Sequence, residues 1–380
     1  MKLLFIVNDL YGERGGGNRF SEELVSSLLE RGHEVVCVVH EINDAVPVRQ
    51  VRLLEAPLRY MANPLLVWRT ARKLRRAIAK FQPDLIHILC EPYAAVFAFI
   101  RVSAPVVLSA HGTYAYIPHL QPTAFRRKIS AALFHAAYRR FAGIASVSSY
   151  TQHWLVKQHA KRGITLPAVL EIISGGIRMS DGVLFTSHEI SNPAELLSVG
   201  GVKARKGAIP ALEMLAAYNA RYSHPAVLRF VGSLTQDPPY VARAIARAEA
   251  LGLTSSVYWE GQISDDELAR RYARADAFVM LSVPEGNEFE GFGLVYLEAN
   301  ARGIPVVGAY GSGAEDAIAN GTSGFLVHAD NPAEGAATLH RLLTNRDTLS
   351  RSAYAWAQQH TWNTVAQKFE TFYALVRKDA

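Results

Sequence analysis

Cysteine and long apolar runs are the scarcest features of this 380-residue chain. Only Cys37 and Cys90 are present, each inside an apolar run. Such a pair predicts buried thiols in a reducing compartment, not a disulfide framework or a thiolate metal site. No apolar stretch approaches the roughly 20 residues that a membrane-spanning helix needs. The N-terminal apolar run ends at Val7, which predicts a buried strand instead of a signal peptide, so we expect a cytoplasmic protein.

Acidic residues are missing from one long segment, residues 92–170, which holds nine basic ones. Residues 1–190 carry 23 Lys and Arg against 14 Asp and Glu, whereas residues 191–380 carry 17 against 20. A positive field of this kind attracts polyanions: nucleic acid, an anionic membrane surface or a phosphorylated substrate. The charge alone leaves these three partners open.

Short β-branched runs alternate with helical patterns twice along the chain. The first series extends from Leu3–Val7 to Gly143–Val147, and the second from Leu196–Val199 to Pro305–Val307. This alternation predicts an α/β protein with two Rossmann-like, doubly wound domains. We place the first domain at residues 1–180 and the second at 190–361. A C-terminal helix at about 362–380 is expected to pack back on the first domain.

Ligands of such sheets bind at the carboxyl ends of the strands. The loop after the first strand contains Gly12 and Gly15 to Gly17, and glycines there let backbone N–H groups approach a phosphate. A dinucleotide site, with Glu41 as the ribose-binding acid, is an alternative, but the third glycine of its fingerprint is missing. A plain flexible loop is the other alternative.

Two segments of the second half carry charged side chains in suggestive places. Arg205 and Lys206 follow a strand that ends in glycines, and such a pair can grip a diphosphate leaving group, although basic pairs at loop ends are usually just solvated. Further on, Glu290 precedes a Gly-Phe-Gly turn, and Glu298 lies two helical turns later. Two carboxylates so spaced can hold hydroxyls of two sugars. The alternative is that Glu290 caps an acidic helix start.

The segment from Glu290 to Glu298 resembles the Glu-x7-Glu motif of retaining glycosyltransferases of the GT-B kind, specifically family 4. The segments Arg31–Val35, Asp84–His87 and Ala301–Val307 and the final helix at Trp362 are also similar to that family. The resemblance covers nearly the whole chain. It implies two Rossmann-like domains that face each other across a cleft, an acceptor-side domain at residues 1–180 and a domain at 190–361 that binds the nucleotide-sugar donor.

The resemblance also implies roles for individual residues. Glu290 would bind the donor sugar, Glu298 the ribose, and Lys206 with Arg205 the departing diphosphate. His111 would lie near the sugar and the reacting bond, unless it is only a hydrogen-bonded loop histidine. Backbone groups of Gly291, Phe292, Gly293 and Leu294 would contact the donor, and Gly16 and Gly17 would approach the phosphates or the acceptor from the other domain. Gly201 stands where many relatives carry arginine, so the clamp would rest on Arg205 and Lys206 alone, with most of the stabilisation from Lys206.

The implied reaction moves a hexose from a UDP- or GDP-sugar to a hydroxyl of a glycan, a lipid-linked or a small-molecule acceptor. The resemblance implies retention by front-face attack, and no carboxylate of the chain is an evident nucleophile. No Asp-x-Asp segment stands in a suitable loop, and we expect no metal or other cofactor. A GT-B epimerase or phosphorylase, a dehydrogenase and a non-catalytic sugar-nucleotide-binding protein remain as alternatives.

Two basic helices are predicted in the first half, at 64–81 and about 125–141. Arg69, Arg72 and Lys73 share one face of the first helix, and apolar residues line the other. Such helices can lie on anionic lipid headgroups as a peripheral membrane surface. The alternative is that they are solvated faces that cover a core. Nucleic acid is not expected, because no recognition helix or RNA-binding signature is present.

Overall fold

A computed structural model describes residues 1–10, 16–179 and 189–378. The chain divides into two compact units, of which one comprises Met1–Gly176 and the chain from Trp362 onward, and the other Ile177–Thr361. Gly12 and Gly15 of the glycine loop and the turn formers Ser180 to Gly182 lie outside the described residues.

The first unit is built on a parallel sheet. Its strands are β1 (Lys2–Ile6), β2 (Glu34–Val39), β3 (Arg49–Arg52), β4 (Leu85–Ile88), β5 (Val106–Ala110), β6 (Gly143–Ser146) and β7 (Val169–Ile172). Within the described residues they form one seven-stranded sheet in the order β3-β2-β1-β4-β5-β6-β7. Alternation of strand and helix in the sequence predicts six of these strands. The edge strand β7 escapes it, because its four residues are half-buried or exposed and lack a continuous buried run.

Four helices of the first unit follow these strands: α1 (Gly16–Glu30), α2 (Pro64–Phe81), α3 (Ala124–Tyr138) and α4 (Ser149–Ala160). The start of α2 is fixed by Pro64 and by the side chain of Asn63, which accepts a hydrogen bond from the Leu66 N–H at 3.1 Å. The predicted apolar face of α2 is buried. Helix α3 ends at Tyr138, so the expected helix to residue 141 is too long.

The second unit repeats this plan. Its strands are β8 (Ala194–Val199), β9 (Ala226–Val231), β10 (Val257–Gly261), β11 (Ala277–Val279), β12 (Val306–Ala309) and β13 (Gly324–Val327). They are parallel and lie in the order β10-β9-β8-β11-β12-β13. The helices are α5 (Ala208–Arg221), α6 (Pro238–Ala250), α7 (Asp265–Arg274), α8 (Leu294–Asn300), α9 (Ala314–Ala317), α10 (Pro332–Thr344) and α11 (Arg346–Gln358). The α/β prediction with two doubly wound halves is confirmed.

The last helix, α12 (Trp362–Lys378), belongs to the first unit. The Trp362 ring stands edge-on to Phe20 of α1, with 5.2 Å between ring centroids. Its Tyr373 hydroxyl lies 2.7 Å from His87 Nδ1 in the middle of β4. Phe369 of the same helix is fully buried. Helix α12 therefore completes the core of a unit that begins at the other end of the chain.

Two expectations from composition can be compared with this structure. Cys37 is buried as expected, whereas Cys90 is only half-buried, and both thiols are free. Among the residues described, no helix is long and apolar enough to cross a membrane.

Candidate functional site

A short turn after β8 carries the two basic residues singled out in the second half. Residues Ala204–Lys206 form a 3-10 turn, and Gly207 follows it with a φ of +69°. A Cβ atom at Gly207 would overlap the carbonyl of Leu281, just beyond β11. The N–H of Val283 donates a hydrogen bond to the carbonyl of Arg205 at 3.1 Å. The basic turn is therefore held tightly against the segment that leads to Glu290.

The side chains of Arg205, Lys206 and Glu290 meet at one point. Lys206 Nζ lies 2.6 Å from Glu290 Oε2, and Arg205 Nη1 lies 2.9 Å from the same oxygen. The backbone of Glu290 is fixed as well, because its carbonyl accepts a hydrogen bond from the Gly313 N–H at 2.9 Å. A Cβ at Gly313 would collide with Gly291, so the two segments approach as closely as glycine permits.

Two opposing effects set the charge of Glu290. Burial by itself raises the pKa of this carboxyl, but the positive charges of Lys206 and Arg205 outweigh it and hold the pKa below its ordinary value. Glu290 is therefore ionised at neutral pH. The three side chains together carry one net positive charge at the carboxyl ends of β8 and β11.

Helix α8 begins after a glycine turn and without a side-chain cap. Gly293 precedes the helix with a φ of +88°, and no side chain caps its first turn. The interpretation of Glu290 as a helix cap is therefore wrong, since its carboxylate binds two cations instead. Gly291, Phe292 and Gly293 are buried, and Leu294 is half-buried.

Glu298 has different surroundings from Glu290. Its Oε2 accepts a hydrogen bond from the Tyr272 hydroxyl at 3.3 Å. The guanidinium of Arg302 lies 4.5 Å from the centre of the Tyr272 ring and donates to the Glu298 carbonyl at 2.9 Å. The structure thus brings Glu290 together with Arg205 and Lys206, and it holds Glu298 against helix α7.

Gly201, where the family resemblance implies arginine in many relatives, is the second residue after β8. A Cβ atom there would lie 2.5 Å from the side-chain oxygen of Gln236. A larger residue would fit only if Gln236 moved. Gln236 therefore occupies space that an arginine side chain at position 201 would need.

His111 follows β5 in the first unit. Its backbone N–H donates a hydrogen bond to Glu91 Oε1 at 2.7 Å, and its ring stands edge-on to Phe20, with centroids 4.6 Å apart. The ring nitrogen Nε2 is buried and finds no hydrogen-bond partner within the described part of the chain. The interpretation as a merely hydrogen-bonded loop histidine therefore accounts for the backbone of His111 but not for Nε2.

Burial shifts the pKa values of His111 and Glu91 in opposite directions. It lowers the pKa of His111 to about 4, against a hydrogen bond to the Leu89 backbone that acts the other way. It raises the pKa of Glu91 to about 7, against backbone hydrogen bonds that lower it. At neutral pH the imidazole is neutral, and the Glu91 carboxyl is divided between its two protonation states.

Gly16 and Gly17 are the first two residues of α1. Among the described residues, a Cβ atom at either would meet nothing within 4 Å. Close packing within the described part of the first unit therefore does not demand glycine at these positions. Their expected approach to phosphates or acceptor stays a prediction.

Sequence reasoning missed Glu91, Gly207 and Tyr272. Glu91 directly follows the apolar run of β4, and a lone acid at the end of a buried strand is the signal that could have found it. Gly207 and Tyr272 carry no such signal, because their roles depend on which distant segment they contact. Over the described ranges, no cluster of three or more His, Cys, Asp or Glu is arranged to hold a metal ion.

Two family models match this sequence in succession. The model described as Glycosyltransferase Family 4 matches residues 14–179, and that described as Glycosyl transferases group 1 matches residues 184–359. Together they cover nearly all of both units.

Individual relatives agree with these models. The sulfoquinovosyl transferase SQD2 of Arabidopsis thaliana is 27% identical over 379 residues, which span 93% of this chain and 69% of the relative. The D-inositol 3-phosphate glycosyltransferase of Corynebacterium aurimucosum is 36% identical over 130 residues, or 33% of this chain and 30% of that protein. The solved structure of HepE from Anabaena in complex with UDP and glucose has a TM-score of 0.73 at 19% identity, and covers 99% of this chain and all of that one. This last likeness shows the GT-B fold.

Proposed function

This chain belongs to the group 1, family 4 glycosyltransferases, and on that premise we propose that it transfers a hexose with retention of anomeric configuration. The donor is a UDP- or GDP-sugar, and the acceptor is a hydroxyl of a glycan, a lipid-linked or a small-molecule acceptor. The observation that carries the proposal is the convergence of Arg205 and Lys206 on Glu290 at the strand ends of the second unit.

Lys206 and Arg205 supply the electrostatics of this reaction. The bond between the anomeric carbon and the diphosphate breaks while the acceptor oxygen bonds to the same face of that carbon. The acceptor proton passes to the departing phosphate oxygen. Negative charge grows on the diphosphate as the bond breaks, so two fixed cations stabilise the transition state more than the ground state. Glu290 binds donor hydroxyls and Glu298 the ribose, as the family resemblance implies.

His111 suits a role near the sugar because its imidazole is neutral. A neutral ring offers one N–H donor and one acceptor nitrogen, so Nε2 can exchange a hydrogen bond with a sugar hydroxyl without adding charge. Glu91 holds the backbone of His111 in place. We assign Glu91 as a positioning residue on this ground.

Exposed apolar side chains beside basic ones on one helix of the first unit support a choice among these acceptors. Helix α2 exposes Leu65 and Trp68 to solvent by 56% and 43%. The Arg72 guanidinium lies 5.0 Å from the Trp68 ring. Apolar side chains beside arginine fit an anionic lipid surface. We propose a membrane-bound, lipid-linked acceptor. We also propose that transfer needs no metal, because the positive charges of Arg205 and Lys206 compensate for the negative charge of the diphosphate.

A panel of nucleotides and nucleotide sugars tests this function. We expect one base, uracil or guanine, to raise the melting temperature as diphosphate and as sugar conjugate, by mass action. Incubation of the preferred donor with a hydroxyl acceptor is then expected to yield an α-linked product from an α-linked donor, as NMR would report. An inverted product would refute retention. A sugar epimer with no acceptor consumed would favour an epimerase, and binding without turnover would favour a non-catalytic protein.

A further inference from the structure

The Glu290 carboxylate contacts both cations of the proposed diphosphate clamp, Lys206 and Arg205. A single carboxylate oxygen, Oε2, contacts Lys206 at 2.6 Å and Arg205 at 2.9 Å. The three side chains are largely shielded from water, since their exposed fractions are 11% for Glu290, 18% for Lys206 and 24% for Arg205. Shielded charge-assisted contacts of this length are among the stronger polar interactions in proteins.

A diphosphate needs the N–H groups that Glu290 engages. Each cation has several donors, so it can contact more than one oxygen. The carboxylate nevertheless takes the best-placed donor of each, and its negative charge repels an incoming anion. Neighbouring Glu288 differs, because its carboxylate lies 4.0 Å from Arg205 and is 58% exposed. Water screens this second acid.

We propose that Glu290 competes with the diphosphate for Lys206 and Arg205, and thereby weakens the binding of nucleoside diphosphate after the sugar has left. The inference rests on the proposed function and deepens it. With the intact donor, sugar hydroxyls give the Glu290 carboxylate hydrogen bonds that compensate for its loosened contacts with the cations. Once the sugar is transferred, these hydroxyls are gone, and Glu290 returns to the cations. The same side chain therefore selects the sugar nucleotide over its diphosphate product and speeds product release.

Titration calorimetry with inorganic pyrophosphate, which isolates the clamp from base and sugar, tests this competition. UDP and GDP serve as further probes in the same measurements. Glu290→Gln keeps the shape of the side chain but removes its charge. We expect it to bind pyrophosphate and the preferred diphosphate roughly tenfold more tightly than the unaltered chain, because two charge-assisted contacts no longer compete. The matched control Glu288→Gln is expected to stay within about twofold.

A second cycle asks whether the gain passes through Lys206. Lys206→Met is expected to weaken pyrophosphate binding more in the Glu290→Gln background than in the unaltered chain, since Lys206 is then fully available to the anion. Additive effects of the two substitutions would overturn the competition, and so would equal gains from Glu290→Gln and Glu288→Gln. Unchanged or weaker binding by a folded Glu290→Gln protein would also overturn it.

Two further measurements distinguish a folding defect of Glu290→Gln from a failure of the proposed competition or of the proposed donor site. If Glu290→Gln shows no cooperative thermal transition, Glu290→Asp replaces it, because the shorter carboxylate keeps its charge but is pulled back from the cations. Tighter pyrophosphate binding by Glu290→Asp supports the inference, and unchanged binding overturns it. If neither pyrophosphate nor UDP nor GDP binds any of these proteins, the proposed donor site itself is refuted. Binding without the gain refutes only the role of Glu290 as competitor.

Discussion

Glu290 and Glu91 are both almost fully buried, yet their pKa values move in opposite directions. Burial raises the pKa of both carboxyls, and for Glu91 it is the dominant effect. For Glu290 two adjacent cations reverse the outcome. Glu290 is therefore ionised within a cationic cluster, whereas Glu91 gains or loses its proton near neutral pH and accepts a hydrogen bond from the His111 backbone.

In the reaction proposed above, Lys206 is the residue on which transfer depends most directly. We expect Lys206→Met to lower kcat by about 100-fold or more, the usual cost of removing one group that stabilises developing negative charge. The control is Lys203→Met, which removes the same charge from the residue just before the turn. Initial rates with the preferred donor measure both. Equal losses would mean that overall positive charge matters and the position of Lys206 does not.

Glu91 makes the stability of the first unit depend on pH. Its pKa in the folded chain is about 7, above the ordinary 4.5, so the carboxyl favours the folded state when protonated. That contribution is complete below pH 4.5 and is lost as pH rises through 7, at a cost of about 3 kcal/mol. Glu91→Gln should therefore melt higher than the unaltered chain at pH 8, and the difference should shrink toward pH 4.5. His111 is present in both proteins and cancels.

The control for this pH effect is Glu41→Gln, in which the substituted side chain is 68% exposed. Its melting curve should follow that of the unaltered chain across the same pH range. A Glu91→Gln gain that does not change with pH would contradict the raised pKa.

At the scale of elements, the site depends on the close approach of one turn to one strand end. The turn Ala204–Lys206 lies against Leu281 because Gly207 has no side chain to intervene. The hydrogen bond between Val283 and Arg205 then fixes the direction of the turn. This approach brings together two cations and a carboxylate, Glu290, from segments that lie 85 residues apart in sequence.

Gly207→Ala should disrupt this approach. Alanine at positive φ costs about 1–2 kcal/mol in itself, and the added methyl group would also collide with the Leu281 carbonyl. Gly252→Ala is the matched control, because Gly252 has the same φ of +69° and no atom within 4 Å of its Cβ position. We expect Gly207→Ala to melt several degrees below Gly252→Ala and to lose pyrophosphate binding, which calorimetry would report. Equal behaviour would show that φ strain alone matters.

At the scale of the whole molecule, the last helix of the chain completes the core of the first unit. Helix α12 joins α1 and β4 although more than 280 residues separate Tyr373 from His87. Arg31 and Glu370 add a two-pronged ion pair at 2.9 and 2.6 Å. The basic first half and the acidic second half also differ in net charge, as the sequence shows.

Phe369→Ala should destabilise the first unit by about 3–5 kcal/mol, the usual cost of emptying a core position of phenylalanine. Phe125→Ala, at a position 73% exposed, should change stability by less than about 0.5 kcal/mol. Chemical denaturation measures both. Pyrophosphate affinity should remain unchanged in Phe369→Ala, because the clamp residues lie in the second unit. A loss of affinity in the folded variant would contradict this division.

Vesicle flotation tests the proposed membrane surface. We expect the chain to float with vesicles that contain phosphatidylglycerol at low salt, and to be released by salt or by neutral lipid. Replacement of both Leu65 and Trp68 by serine should abolish flotation, whereas Leu375→Ser, at another exposed apolar position, should not. Absence of flotation at low salt would refute a membrane surface on this unit.

The sequence by itself determined the alternation of strands and helices and the family of the chain, because both depend on local patterns. The buried runs of β1 and β8 and the apolar face of α2 are readable from residue order alone. The Glu-x7-Glu spacing singled out Glu290 and Glu298 in the same way. Only the tertiary structure decided their neighbours, since these come from distant segments. It placed Arg205 and Lys206 on Glu290, Tyr272 on Glu298 and Glu91 against the His111 backbone. Through these placements the two cations keep the Glu290 carboxylate ionised, and burial raises the pKa of Glu91.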